Sequence, residues 1–149
     1  MMEELLKVEE LKTHFFTYGG VIKAVDSVSF SVRRGETLGV VGESGCGKSV
    51  TALSILRLIQ TPPGRIVGGR IVFEGQDLLT LREKEIRDIR GKKISMIFQE
   101  PMTSLDPVFT IGHEIIETIQ IHQGLSHEQA RVKAIEMLQV VGIPDAERR

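Results

Sequence analysis

The residues with the clearest chemical potential are Gly42-Glu43-Ser44-Gly45-Cys46-Gly47-Lys48-Ser49, which fit the spacing G-x-x-x-x-G-K-[ST]. In that spacing glycines let the backbone turn tightly and approach a ligand, successive N–H groups form a nest for an anion, and a following helix N-terminus adds partial positive charge. The phosphate chain of ATP or GTP is the natural guest. Lys48 is expected to meet the β- and γ-phosphates as a point charge, and the Ser49 hydroxyl to join the shell of a Mg²⁺ that keeps several waters. The expected cofactor-binding loop is therefore Gly42, Glu43, Ser44, Gly45, Cys46, Gly47, Lys48 and Ser49, with Val50 at its helical end. Cys46, in a nest beside a helix N-terminus, is a candidate for a lowered thiol pKa and for alkylation, although a small loop residue is the plainer reading.

Such a loop needs a strand before it and a helix after it. Thr37-Leu38-Gly39-Val40-Val41 is a short apolar run that suits a buried strand of a parallel sheet. Residues 50–58 keep Leu53 and Leu56, with Ile55 and Leu58 less regularly, at helical spacing without Gly or Pro. Upstream, residues 6–16 mix apolar and charged side chains. Val28, Phe30 and Val32 alternate with Ser27, Ser29 and Ser31, the pattern of half-exposed antiparallel strands. Downstream, Thr61-Pro62-Pro63-Gly64 ends regular structure, residues 69–73 before Glu74-Gly75 predict a strand and turn, and residues 82–90 predict a solvated amphipathic helix around Ile86 and Ile89. Residues 94–98 read as a buried strand ending at Gln99-Glu100-Pro101. Pro101 and Pro107 bracket a loop, and residues 111–123 are expected to be helical. A second helix starts at Ser126, which forms a capping box with Gln129 and precedes an apolar face of Ala130, Ala134, Met137, Leu138 and Val141, stopped by Gly142 and Pro144.

Composition narrows the partners. The 149 residues are 41% hydrophobic, with 19 basic and 20 acidic side chains and a formal charge of −1. That balance gives no field favouring nucleic acid or an anionic membrane, and Arg90-Gly91-Lys92-Lys93 reads as surface. One cysteine cannot form an internal disulfide and suits a reducing compartment. The first five residues are acidic where a signal peptide is basic, and no apolar run reaches the roughly 18 residues of a bilayer span. The expectation is therefore cytoplasmic, with any membrane association peripheral. His14, His113, His122 and His127 lack metal-ligand spacing and read as surface or packing residues.

With this loop followed by Phe98-Gln99-Glu100-Pro101-Met102-Thr103-Ser104-Leu105-Asp106-Pro107, the chain resembles ABC transporter ATPases. It is most similar to the ATP-binding subunits of dipeptide, oligopeptide and nickel importers. The resemblance implies an α/β P-loop NTPase core with an antiparallel β portion over residues 1–100 and the start of a helical subdomain over 101–149. It makes Gln99 the Q-loop glutamine, which contacts Mg²⁺ and the attacking water and links the nucleotide site to the membrane subunits. Gln99 and Lys48 are thus the expected catalytic residues, and Ser49 and Gln99 the expected metal contacts. Tyr18 matches the aromatic that stacks on adenine, with His14, Phe15 or Phe16 as alternatives in a shifted register. The implied partners are a sister ATPase, two transmembrane permease subunits and, indirectly, a solute-binding protein, at the cytoplasmic face of the membrane and without nucleic acid.

The sequence also departs from the family: it has no Leu-Ser-Gly-Gly segment, no apolar run closing in Asp-Glu and no later switch histidine. Glu100 follows an apolar run but is not read as a general base, because Gln99 stands where a metal-binding Asp is needed. These residues therefore read as an N-terminal portion. By themselves they are expected to bind nucleotide weakly, to leave it unhydrolysed, and to aggregate through unpaired sheet edges. Two other readings stay open: a non-hydrolysing module that binds nucleotide or permease, and a soluble P-loop kinase or GTPase, which needs an acceptor site within one chain. The solute is not legible.

Overall fold

The computed structural model describes residues 4–99 and 105–148. Its contacts divide the chain into two compact units, Met1–Arg87 and Asp88–Arg149.

The first unit is organised by a long hairpin. Strand β1 (Glu4–Thr17) turns through Tyr18-Gly19 into β2 (Gly20–Arg33), and its other edge takes β3 (Gly64–Phe73), beside which lies the short β4 (Gln76–Asp77). The order is β2-β1-β3-β4 and every pairing is antiparallel. A plain strand buries every second residue, yet β1 buries Val8 and then Leu11 and Thr13. The change of phase comes from a bulge: the register shifts after Val8 against β2 and after Glu9 against β3, and Glu10 adopts φ 48°. Gly69 on β3 makes room for the bulge, since a Cβ there would lie 2.6 Å from the Glu10 carbonyl oxygen.

Helix α1 (Lys48–Ile55) lies against β1 through an uncommon buried pair. Thr13 and Ser54 are both fully buried, with their hydroxyls 2.8 Å apart. Ser54 Oγ donates to the Val50 carbonyl at 2.7 Å, so the Thr13 hydroxyl is the donor to Ser54. Helix α2 (Glu83–Ile89) buries Ile86 and Ile89 as the sequence pattern requires. Its N-terminus is closed by Glu85, which accepts from the Arg82 N–H at 2.8 Å and from the Arg82 guanidinium at 2.9 Å.

Two expected strands are absent. Residues 37–41 and 95–98 carry no ladder among the described residues. The later segment has only one parallel bridge, Arg90 to Ile94. Val41 is 96% and Ile97 97% exposed. Both runs have the apolar content of interior parallel strands, but a strand exists only where a neighbouring backbone takes its N–H and C=O groups. No such neighbour occurs among the described residues. Glu100, Pro101, Met102, Thr103 and Ser104 lie outside the described residues.

The second unit is a helical hairpin of α3 (Ile111–Gln123) and α4 (His127–Val140), followed by a 3₁₀ turn at Ala146–Arg148. Thr110 caps α3 by accepting from the His113 N–H, and Gly124 ends it at φ 65°. The Ser126–Gln129 capping box forms as the sequence predicts, both arms present. Ala130 and Ala134 pack on Ile119, with Ile115, Ile116 and Leu125 around them, and Leu138 is buried further along. Met137 and Val141, expected on the same face, are 48% and 71% exposed. Met137 borders a cavity with Leu105, Ile115 and Ile119 instead of filling it, and Val141 lies past the last turn of α4.

Two outcomes follow. Ser54→Ala leaves the buried Thr13 hydroxyl without an acceptor and costs about 1–3 kcal/mol, while adding Thr13→Val recovers part of the loss, because replacing both partners by apolar groups is nearly neutral; urea unfolding midpoints of the two variants check this. The Arg82 hydrogen bonds hold the Glu85 carboxyl down at about 2 from a usual 4.5. A depressed folded pKa gives stability that is complete above the unfolded value and lost as pH falls from about 4.5 toward 2. Glu85→Gln therefore flattens the acid limb of the wild-type stability profile in that window.

Candidate nucleotide-binding site

Of the sequence-predicted site residues, the loop from Gly42 to Ser49 and Val50 come together at the N-terminus of α1. That terminus is bare. Its N-cap is Gly47, at φ 94° and ψ 3°, with no side-chain cap and no acidic residue in the first turn. The first intrahelical bond runs from the Thr51 N–H to the Gly47 carbonyl at 2.8 Å. The N–H groups of Lys48, Ser49 and Val50 therefore point out of the helix without an acceptor in it. A side-chain carboxylate or hydroxyl ordinarily takes that position; here it is left to an external anion, toward which the helix dipole is favourable.

The loop has little freedom to be anything else. A Cβ at Gly47 would sit 2.2 Å from the Ala24 carbonyl oxygen, so the loop is pressed against β2 and only glycine fits. Gly45 takes φ 83°, and the Cys46 N–H closes a turn on the Glu43 carbonyl at 3.3 Å. Lys48 folds back over the loop: its ammonium donates to the Gly42 carbonyl at 2.7 Å and the Glu43 carbonyl at 2.8 Å, with Cys46 Sγ at 3.5 Å. These contacts hold a full positive charge against the first turn of the loop. Cys46 and Ser49 are exposed. Beside Lys48, the side chains of Phe30, Val32, Leu38, Val40 and Ile55 line a hollow of about 310 Å³, so residues 38–40 run alongside α1 without forming a ladder.

Tyr18 stands at the hairpin tip with its ring in solvent. His14 and Phe16 lie further down β1, their rings 6.5 Å apart. Gln99 is exposed and belongs to the second unit. Among the described residues no group of His, Cys, Asp and Glu could hold a metal ion. Within the loop the exposed Ser49 hydroxyl is a hard oxygen of the kind that Mg²⁺ prefers. Sequence reasoning missed the seat of the loop, Ala24 and Val25, because nothing in an exposed β2 strand signals that its backbone will meet a glycine more than twenty residues on.

A model of the ABC transporter family matches residues 25–149. The chain belongs to the ABC transporter family. Among its relatives, a probable peptide ABC transporter ATP-binding protein of Sinorhizobium fredii, y4tR, is 54% identical over 97% of this chain and 43% of its own length. The oligopeptide transport ATP-binding protein OppD of Bacillus subtilis is 50% identical over 97% of this chain and 40% of its own. The dipeptide transport ATP-binding protein DppD of Escherichia coli is 48% identical over 97% and 44%. The chain thus spans less than half the length of these relatives. The dimeric structure of MJ0796, a bacterial ABC transporter cassette, superposes with a TM-score of 0.77 at 23% identity, covering 91% of this chain and 56% of that one. Its post-hydrolysis form bound to ADP and Pi gives 0.75. The α/β fold read from the sequence, with its antiparallel portion and helical start, is that of ABC cassettes.

Because Gly47 meets backbone and not a flexible side chain, Gly47→Ala combines left-handed strain with overpacking and costs about 2–5 kcal/mol. Gly45→Ala, with open space around the added Cβ, costs about 1–2 kcal/mol. Thermal unfolding of the two variants side by side checks the difference.

Proposed function

We propose that this chain forms the ATP-binding part of the ATPase subunit that energises an ABC importer of peptides or similar solutes. The observation that carries the reading is the uncapped N-terminus of α1, with Gly47 at its cap and the Lys48 ammonium held against the preceding loop. The names of the relatives, which are peptide, oligopeptide and dipeptide transport ATP-binding proteins, support the solute class.

In this reading the N–H groups of the loop and of Lys48, Ser49 and Val50 bind the phosphates. Lys48 exchanges the Gly42 and Glu43 carbonyls for β- and γ-phosphate oxygens, a trade of neutral acceptors for charged ones that strengthens each hydrogen bond. Ser49 and Gln99 would hold Mg²⁺, which when bound neutralises charge on the phosphate oxygens. The exposed ring of Tyr18 stacks on the base. Residues 1–100 then serve as the nucleotide-binding core, and residues 101–149 open the helical subdomain facing two permease subunits. A sister ATPase completes the site, and a solute-binding protein delivers the cargo. No helix among the described residues is long and apolar enough to cross a membrane, so the chain would reach the membrane through those permeases, from the cytoplasmic side.

A second reading is a module that binds nucleotide and permease without turnover, for which the α3–α4 hairpin would supply the permease-facing surface. Both readings predict that the 149 residues alone bind MgATP and do not hydrolyse it. Calorimetric titration should show MgATP affinity falling at least tenfold in Lys48→Ala, the loss of roughly 1.5–3 kcal/mol that removing a charge-assisted hydrogen bond brings. Affinity untouched by Lys48→Ala would sink the nucleotide reading. Steady turnover by these residues, abolished by Lys48→Ala, would sink the claim that they do not hydrolyse ATP.

A further inference from the structure

The phosphate loop contains two charged side chains, Lys48 and Glu43, and the nucleotide reading gives the second nothing to do. Lys48 donates to the Gly42 carbonyl at 2.7 Å and the Glu43 carbonyl at 2.8 Å, so its ammonium meets neutral acceptors although a carboxylate sits on one of the same residues. Among the described residues that carboxylate has no hydrogen bond and no ion pair, and Glu43 is exposed. Asp26, further along β2 from the seat of the loop at Ala24, is by contrast matched by Lys23 at 3.6 Å. The first turn of α1 carries no acidic residue. Glu43 is thus an unmatched negative charge beside a bare helix terminus.

Covalent geometry limits how far away that charge can be. The carboxyl carbon of a glutamate is joined to its Cα through bonds of about 1.5 Å each, so any rotamer keeps it within about 4 Å of the backbone. With the Lys48 ammonium on the carbonyl of the same residue, the two charges stay within about 10 Å, one Debye length at 0.1 M salt. They act on an incoming anion with opposite sign. Lys48 acts by contact and direction, and Glu43 at longer range. An effect of the second kind scales with the net charge of the ligand and hardly with its shape.

Metal-free triphosphate and its Mg²⁺ complex differ in that quantity. Mg²⁺ neutralises about half of the charge on a nucleoside triphosphate at neutral pH. The backbone amides and Lys48 gain from every added negative charge, and by themselves they favour the bare polyanion. A carboxylate beside them repels that polyanion about twice as strongly as the complex and attracts the cation that the complex brings. Resting on the nucleotide reading above, we infer that Glu43 is a specificity-determining residue, whose carboxylate sets the loop against metal-free polyphosphate and in favour of the Mg²⁺ complex. The groups that hold the phosphates by contact cannot make this choice.

The test is calorimetric titration of the purified protein with a non-hydrolysable ATP analogue and with inorganic tripolyphosphate, each in excess Mg²⁺ and in EDTA, at about 20 mM and about 0.5 M salt. At low salt Glu43→Gln should raise the affinity for both metal-free ligands about tenfold and for their Mg²⁺ complexes by no more than about threefold. Glu43→Ala should act in the same sense, and Glu43→Asp, which keeps the charge, should leave the preference for the complex within about twofold of wild type. At high salt the gain from Glu43→Gln should shrink to within about twofold, because screening removes a long-range charge and leaves a change of loop shape untouched. A gain equal for both forms, a gain that persists at high salt, or metal-free binding no stronger in Glu43→Gln than in wild type overturns the inference. If in that case the Mg²⁺ complex still binds and Lys48→Ala weakens it, the nucleotide reading stands without it; if no triphosphate binds in any form, both fall.

Discussion

The contact between Gly47 and the Ala24 carbonyl is the constraint around which the site is arranged. It presses the start of α1 onto the inner part of a long hairpin, so that the same strand pair supports the bare helix terminus at one point and the Tyr18 tip at another. Any side chain at position 47 would push the loop off β2. With it would go the direction in which the Lys48, Ser49 and Val50 N–H groups aim. Anion binding by backbone amides depends on direction more than on charge, because each amide contributes only a partial charge and several must converge.

A second fastening acts about two turns further along α1. The Thr13–Ser54 hydroxyl pair is buried between strand and helix, where a polar pair must be fully satisfied to be tolerated. It fixes rotation of the helix on the sheet in a way that Leu or Val packing, being non-directional, does not. The β1 bulge at Glu10 serves the same end from the other side: by shifting the side-chain phase it lets Val8, Leu11 and Thr13 all face inward. Without it Thr13 and Val8 would lie on opposite faces, and α1 would have no hydroxyl to meet.

Local chemistry was the legible part of this chain. The loop motif, the α3 span and the Ser126–Gln129 capping box each depend on neighbours within a few residues, and each is where the sequence pattern places it, while the helix behind the loop forms but stops at Ile55, short of the expected Leu58. The apolar runs at residues 37–41 and 94–98 failed as strand predictions for the opposite reason. Apolar content records that a segment tends to leave water, and a ladder needs a partner backbone that no local pattern supplies. Met137 shows the same limit on a helix: its spacing puts it on the Ala130–Ala134 stripe, but it borders an open cavity beside α3 and stays 48% exposed.

By itself the sequence determined which residue types were available to meet a phosphate, and where helices start, because glycine torsions, capping hydroxyls and i, i+4 spacing are properties of short stretches of chain. Only the tertiary structure decided that Gly47 would be seated on Ala24, that Thr13 would donate to Ser54, and that Pro62 and Pro63 would border one cleft with Tyr18. Those contacts join residues distant in sequence. They form because a bulged, antiparallel sheet brings its neighbours into register as a whole, and no single segment carries that information.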